Sequence, residues 1–132
     1  MTEIPLWTPS AEQVAASGMT RFRITCETRA GRPLADSADL HAWSIEKPAA
    51  FWETVWDHCG VVGTRGVRAL TSNGTMRGTR FFPDAELNFA ENLLRTRGSA
   101  DALVFRGEDK AESRWSWDDL RAMVSRLQQA LV

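Results

Sequence analysis

Residues 80–98 read RFFPDAELNFAENLLRTRG, and how they are read decides how the rest of the chain divides. Asn88 carries a side-chain acceptor suited to the open N–H groups of a helix start. Glu91 follows three residues later, so Asn88-x-x-Glu91 has the form of a capping box. Phe89, Leu93 and Leu94 fall on the inward side of the expected turn. Arg95 and Arg97 suit the negative end of the helix dipole, and Gly98 supplies a stop. The stretch therefore predicts a structural helix from Asn88 to Gly98 rather than a catalytic loop. Just before it, Thr79–Phe82 reads as a short strand. Val67–Leu70 can partner it across a turn at Asn73-Gly74.

Downstream, DALVFRGEDKAESRWSW (101–117) predicts a hairpin. Its strands are Ala102–Arg106 and Glu112–Trp117, joined by the turn-like GEDK. Ser116 then caps a last helix, with Asp119 at its third position. Leu120, Val124, Leu127 and Leu131 follow at spacings of four, three and four, which places them on one stripe. The pattern runs to Val132 with no Gly or Pro stop, as in a chain cut within an element.

Upstream, Ser10-x-x-Gln13 has capping-box form after Pro9. Val14, Gly18 and Phe22 recur at helical spacing, which predicts one helix from Ser10 to about Arg29, stopped by Gly31. AGRPLADS is a loop. Asp36 or Ser37 caps a short helix over ADLHAWSI. EKPAAFWETVWDHCG is a stronger helix, with Pro48 in the first turn and Gly60 as its stop. Phe51, Trp52, Val55 and Trp56 form an aromatic stripe on it. The stripe reads as core or interface, or else as a ligand-stacking platform. The expected fold class is α+β. Residues 1–98 form a mostly helical segment, and 99–132 form a hairpin followed by an amphipathic helix.

The composition excludes several functional classes. The chain has 132 residues, 43% hydrophobic and 25% charged, which is ordinary for a small globular domain. Its net charge of -1 offers no footprint for nucleic acid or an anionic membrane. No apolar run approaches the roughly 18 residues that span a bilayer, and MTEIPLWTPS lacks the features of a secretory signal. Cys26 and Cys59 do not make a disulfide framework, and reduced thiols imply a cytoplasmic home. Six tryptophans and six phenylalanines accompany no tyrosine, so most of these rings must pack together or against another surface.

Local chemistry is sparse. His58-Cys59 are adjacent, and His41 and Cys26 lie far off, without metal-ligand spacing. TSNGTMRG (71–78) resembles a phosphate loop, but it has no lysine and the wrong glycine spacing, and no helix clearly follows. Arg77 and Arg80 are its only phosphate-binding candidates. Asp118-Asp119, Glu108-Asp109, and Glu91 near Asp84 are carboxylate pairs at helix starts or turns, where acids serve local structure. No His or Cys has a visible partner for nucleophilic catalysis. The expected set of catalytic, cofactor-binding and metal residues in this chain is therefore empty.

RFFPDAELNFAENLL closely resembles a W-F-P-G-A-x-L-N-[YF]-A-E-N-L-L segment near the N-terminus of acetoacetyl-CoA synthetases, with a looser version in acetyl-CoA synthetases. PLWTPSAEQVAASGMTRFR resembles the opening of the same family. LHAWSIEKPAAFWETVWDHCGVVG resembles its L-x-x-W-S-V-x-x-P-x-x-F-W segment. ALVFRGEDKAESRWSWDDLRAMVSRLQQAL resembles the first hairpin and helix of acyl-CoA synthetases generally. The chain departs at Phe81, where the family has Trp, and at Asp84, where it has Gly. Ser116-Trp117 replaces a usual Thr-Tyr. The resemblance implies a piece of the large N-terminal domain of an adenylate-forming enzyme: an N-terminal extension over 1–98 and the start of the AMP-binding domain over 99–132. It also implies a parent that uses ATP, Mg2+ and CoA through an acyl-adenylate. The family's phosphate loop, ATP-binding acids and catalytic lysine lie beyond residue 132. The resemblance thus implies inactive scaffold here, partnered by the remainder of a parent chain, with self-association through exposed helix faces. A stand-alone binding module and a fragment of an acetyl- or propionyl-CoA synthetase are the alternatives.

Overall fold

The computed structural model describes residues 6–108 and 110–131. The first five residues, Asp109 of the turn acids and Val132 of the last helix lie outside the described residues. The chain packs as two compact units, Met1–Glu86 and Leu87–Val132, so the division falls inside the 80–98 stretch itself.

Unit 1 begins with α1 (Ala11–Ala16) and α2 (Gly18–Ala30), two helices where the sequence predicts one. Ser17 breaks the pattern. Its backbone is extended, and its hydroxyl accepts from the Thr20 N–H, so it closes α1 and caps α2. The predicted box at Ser10 is formed, with the Gln13 side chain returning to the Ser10 N–H at 2.8 Å. Gly31 ends α2 in the left-handed region, φ 68°, which glycine adopts without steric cost.

The following loop is clamped back onto α2. Glu27 accepts from the Leu34 N–H at 3.1 Å, and Arg23 donates to both Glu27 and the Leu34 carbonyl. This places Leu34 at the centre of the core with Cys26, Leu40 and Trp43, flanked by Phe22, Ala30, Ala50 and Phe51. Asp36 rather than Ser37 caps α3 (Ser37–Glu46), accepting from the Ala38 and Asp39 N–H groups. Pro48 opens α4 (Pro48–Cys59), where its missing N–H costs nothing, and Gly60 closes it.

The segment after α4 forms a two-residue ladder, β1 (Leu70–Thr71) with β2 (Arg80–Phe81), antiparallel with Leu70 opposite Phe81. An isolated bridge joins Thr64 to Glu86. Gly66 lies against Asp84. A Cβ at 66 would come within 2.5 Å of the Asp84 Cβ, so no other residue fits there without displacement. Arg68 reaches Asp84 with Nε to Oδ2 at 2.8 Å and pairs with its second oxygen through Nη2. That fork of hydrogen bonds holds the Asp84 carboxyl below the usual carboxylate range.

Unit 2 contains α5 (Phe89–Leu93), β3 (Asp101–Arg106), β4 (Glu112–Ser116) and α6 (Trp117–Ala130). Asn88 caps α5 as expected, its Oδ1 accepting from the Glu91 N–H at 3.2 Å. The reciprocal half of the box is not formed among the described residues, and the helix stops at Leu93, short of Gly98. The inward face also differs from expectation. Leu94 is buried while Phe89 and Leu93 are exposed. Arg121 of α6 donates to the Leu94 carbonyl, which fixes the chain where a longer helix would have continued. The β3–β4 hairpin is antiparallel, with Leu103 opposite Trp115 and Phe105 opposite Ser113. Trp117 starts α6 instead of ending the strand. The Ser116–Asp119 box caps that helix, and its hydrogen bonds hold the Asp119 carboxyl below the usual range. Helices with two small antiparallel ladders make this an α+β chain.

Candidate functional site

The loop 71–79 spends its donors on itself. The Gly74 N–H donates to the Ser72 hydroxyl, the Thr75 N–H to Asn73 Oδ1, and the Gly78 N–H to the Thr75 hydroxyl, each at 3.1 Å. A phosphate cradle needs these N–H groups convergent and open. Arg77 is exposed on the loop and Arg80 is exposed on β2, and the loop contains no lysine. These residues do not fit an ATP phosphate, and no step of nucleotide chemistry can be built on them.

The aromatic rings of the α4 stripe pack ring on ring, with Trp52 still 41% exposed. Phe51 meets Phe22 and Trp43 edge-on, at centroid distances of 5.8 and 6.2 Å. Trp52 tilts against Phe81 at 5.5 Å and Trp56 against Phe82 at 5.0 Å. Two of the three phenylalanines of the 80–98 stretch, Phe81 and Phe82, are therefore the lids of a tryptophan pair. To reach Trp56, Phe82 adopts φ 46°, a left-handed geometry unusual for a bulky residue. Nothing in the local sequence signals this.

The candidate ligands and nucleophiles do not assemble. Cys26 is fully buried in the core, and burial pushes its thiol up to about 11, away from reactivity. Cys59 is exposed at the end of α4. His58 packs against Phe22 at 5.1 Å, with Nδ1 3.2 Å from the Thr25 hydroxyl. His41 is exposed on α3. Among the described residues no three His, Cys, Asp or Glu side chains gather as a metal site. Asp84 is held by Arg68, and Asp119 by Ser116. Asp118 accepts from the Gly98 N–H, and Glu91 stands in the first turn of α5.

Two open clefts lie within the units. One, of about 430 Å³, is lined by Ile24, Thr25, Thr28, Arg29, Thr54 and Asp57. Its charges are already paired, Arg29 with Glu53 and Asp57 with Arg65. The other, of about 270 Å³, lies between β4 and α6. Arg114 and Asp119 line it and are engaged by Asp101 and Ser116. Thr25 of the first cleft stands beside His58, and the second cleft is lined by no hydroxyl or thiol. No helix among the described residues is long and apolar enough to cross a membrane.

Comparison with known proteins gives the context. Residues 37–93 match the family described as the acetyl-coenzyme A synthetase N-terminus. The chain is 55% identical over 129 residues to an acetoacetyl-coenzyme A synthetase of Rhizobium meliloti, covering 98% of this chain and 20% of that protein. It is 32% identical to a malonamoyl-CoA synthetase of Penicillium aethiopicum, covering 96% of this chain and 18% of that one. Its fold is similar to the solved structure of an acetoacetyl-CoA synthetase from Streptomyces lividans. The TM-score is 0.83 at 33% identity, over 98% of this chain and 21% of the other. The chain spans about a fifth of the length of the relatives it matches.

Proposed function

Because the chain belongs to the acetoacetyl-CoA synthetase family, we propose that it is the N-terminal scaffold of an enzyme that joins acetoacetate to coenzyme A. In that reaction the carboxylate attacks the α-phosphorus of ATP, pyrophosphate leaves, and the acyl-adenylate forms; Mg2+ would neutralise phosphate charge in the parent enzyme. The thiol of CoA then displaces AMP to give the thioester. The observation that carries this reading is 55% identity to the Rhizobium meliloti protein over nearly the whole chain. The chain's own share is structural. It supplies the capped helices, the tryptophan pair with its two phenylalanine lids, and a hairpin with its helix. Residues 1–98 then act as the extension that precedes the AMP-binding domain, and 99–132 as the first hairpin and helix of that domain. The partner is the rest of the same polypeptide, and the compartment is the cytoplasm.

The test is a chimera in which this chain replaces the corresponding segment of the Rhizobium meliloti protein. It should release AMP only when acetoacetate, ATP, Mg2+ and CoA are all present. The 132-residue chain alone should give no AMP above the blank. A chimera that folds but prefers acetate or propionate would replace this reading with that of a different acyl-CoA synthetase.

A further inference from the structure

Residues 61–83 hold four arginines, Arg65, Arg68, Arg77 and Arg80, and no acid, although the whole chain has a net charge of -1. Two of the four are engaged within unit 1. Arg65 pairs with Asp57 at 2.8 Å, and Arg68 pairs with Asp84. Arg77 and Arg80 are exposed and take part in no ion pair among the described residues. The loop that carries Arg77 is braced from within. The Ser72 hydroxyl donates to the Thr79 hydroxyl at 2.8 Å, and that hydroxyl donates to the Thr75 carbonyl at 2.8 Å. The Thr75 hydroxyl donates to Asn73 Oδ1 at 2.8 Å. Asn73 also closes the space over Gly78, where a Cβ would fall 1.9 Å from its Oδ1. A loop whose polar groups are already paired has little freedom left to lose on binding. Beside Arg77, Met76 is 94% exposed. Methionine and arginine are both enriched at protein interfaces. The flexible thioether fits apolar groups of varied shape, and the planar guanidinium takes both oxygens of a carboxylate.

We propose that Met76, Arg77 and Arg80 form a recognition surface for an acidic peptide segment of another protein, one that sets an apolar side chain among its carboxylates. Charge complementarity selects that partner. The surface offers side-chain cations alone, because the Gly74, Thr75 and Gly78 N–H groups that would cradle a phosphate bond within the loop. A nucleic acid or an anionic membrane calls for a wider basic field than two unpaired arginines.

The test is the fluorescence anisotropy of a labelled glutamate-rich peptide with a leucine at its centre, added to the 132-residue chain where light scattering reports monomers. The peptide should bind with a Kd of roughly 10–100 μM at low salt and dissociate as salt rises. Arg77→Glu, Arg80→Glu and Met76→Asp should each weaken binding at least about tenfold, with the urea midpoint unchanged to show that the fold is kept. Lys47→Glu, which reverses an exposed cation elsewhere in unit 1, should change binding by less than about twofold. Gly78→Ala keeps all three side chains but disturbs the brace at Asn73, and should weaken binding at least about threefold. Equal binding of the same peptide with glutamine for glutamate would overturn the proposal, as would equal losses from Lys47→Glu. Displacement of the peptide by equimolar tripolyphosphate would also overturn it and assign the arginines to phosphate. The Rhizobium meliloti chimera should bind the peptide within about threefold of the short chain. A chimera that does not bind would show the loop covered by its own polypeptide and would overturn the proposal, whatever its turnover.

Discussion

Leu34→Ala tests whether unit 1 has the core described. Leu34 is fully buried, and its neighbours are Cys26, Leu40 and Trp43 with Phe22 and Phe51 around them. Truncating a buried leucine costs about 2–5 kcal/mol, depending on how far the site collapses into the space left. Collapse is restricted here, because Glu27 and Arg23 hold the backbone N–H and carbonyl of residue 34. The cost should then fall in the upper part of the range, about 3–4 kcal/mol. A unit of this size has roughly 4–13 kcal/mol in total at the usual stability per residue. The melting temperature should fall by at least about 12 °C, at about 4–8 °C per kcal/mol. Urea unfolding followed by tryptophan fluorescence reads the change, since Trp43, Trp52 and Trp56 all lie in unit 1. Leu34→Met, which conserves volume, should cost less than about 1.5 kcal/mol. Leu131→Ala, at an exposed position, should stay within about 0.5 kcal/mol. A loss below about 1 kcal/mol for Leu34→Ala would show that the loop is not seated in a packed core.

Asn88→Ala removes the cap of a five-residue helix and should cost about 1 kcal/mol in unit 2, read by urea denaturation. In the chimera, a hundredfold loss of activity at unchanged stability would place Asn88 in an active site instead. The buried Cys26 thiol has its folded value raised from 9.0 to about 11, so the neutral form is favoured in the folded state. Its contribution is complete below about pH 9 and is lost as pH rises from there to about 11, up to about 3 kcal/mol for two pKa units. Urea midpoints across that window should fall in the wild type and fall less in Cys26→Ala; parallel curves would refute the assignment. The 132-residue chain should also self-associate at micromolar to millimolar concentration through its open apolar residues, because patches of that size act as interfaces. Light scattering on a dilution series that shows a strict monomer, with no binding of a hydrophobic dye, would count against open faces in the isolated chain.

The boxes Ser10 with Gln13 and Ser116 with Asp119 were legible because each joins residues three apart, and Pro48 and the closing glycines 31 and 60 because each carries its backbone preference alone. The break at Ser17 was missed because Val14, Gly18 and Phe22 keep a helical spacing across it. The Ser17–Thr20 pair was the available signal. The shortened α5 was not legible, since the Arg121 side chain that fixes Leu94 comes from 27 positions away. Long-range contacts also hid what the aromatic stripe does. That Phe81 and Phe82 cover Trp52 and Trp56 depends on a left-handed residue and a two-residue ladder that no periodicity announces. The sequence reading set the 71–78 loop aside for its missing lysine and its glycine spacing; the structure adds that the Gly74, Thr75 and Gly78 N–H groups bond within the loop.

The contact between Gly66 and Asp84 closes position 66 twice over. A Cβ there would meet the Asp84 Cβ at 2.5 Å and also the Asp84 carbonyl oxygen at 2.9 Å, so shortening the side chain at 84 would not reopen the space. The backbone at 66 is left-handed as well, with φ 75°, which favours glycine whatever stands at 84. Arg68 answers only to the carboxylate, through the hydrogen bond from its Nε at 2.8 Å. Position 66 is therefore fixed by the path of the main chain, while 68 and 84 are free to change as a pair.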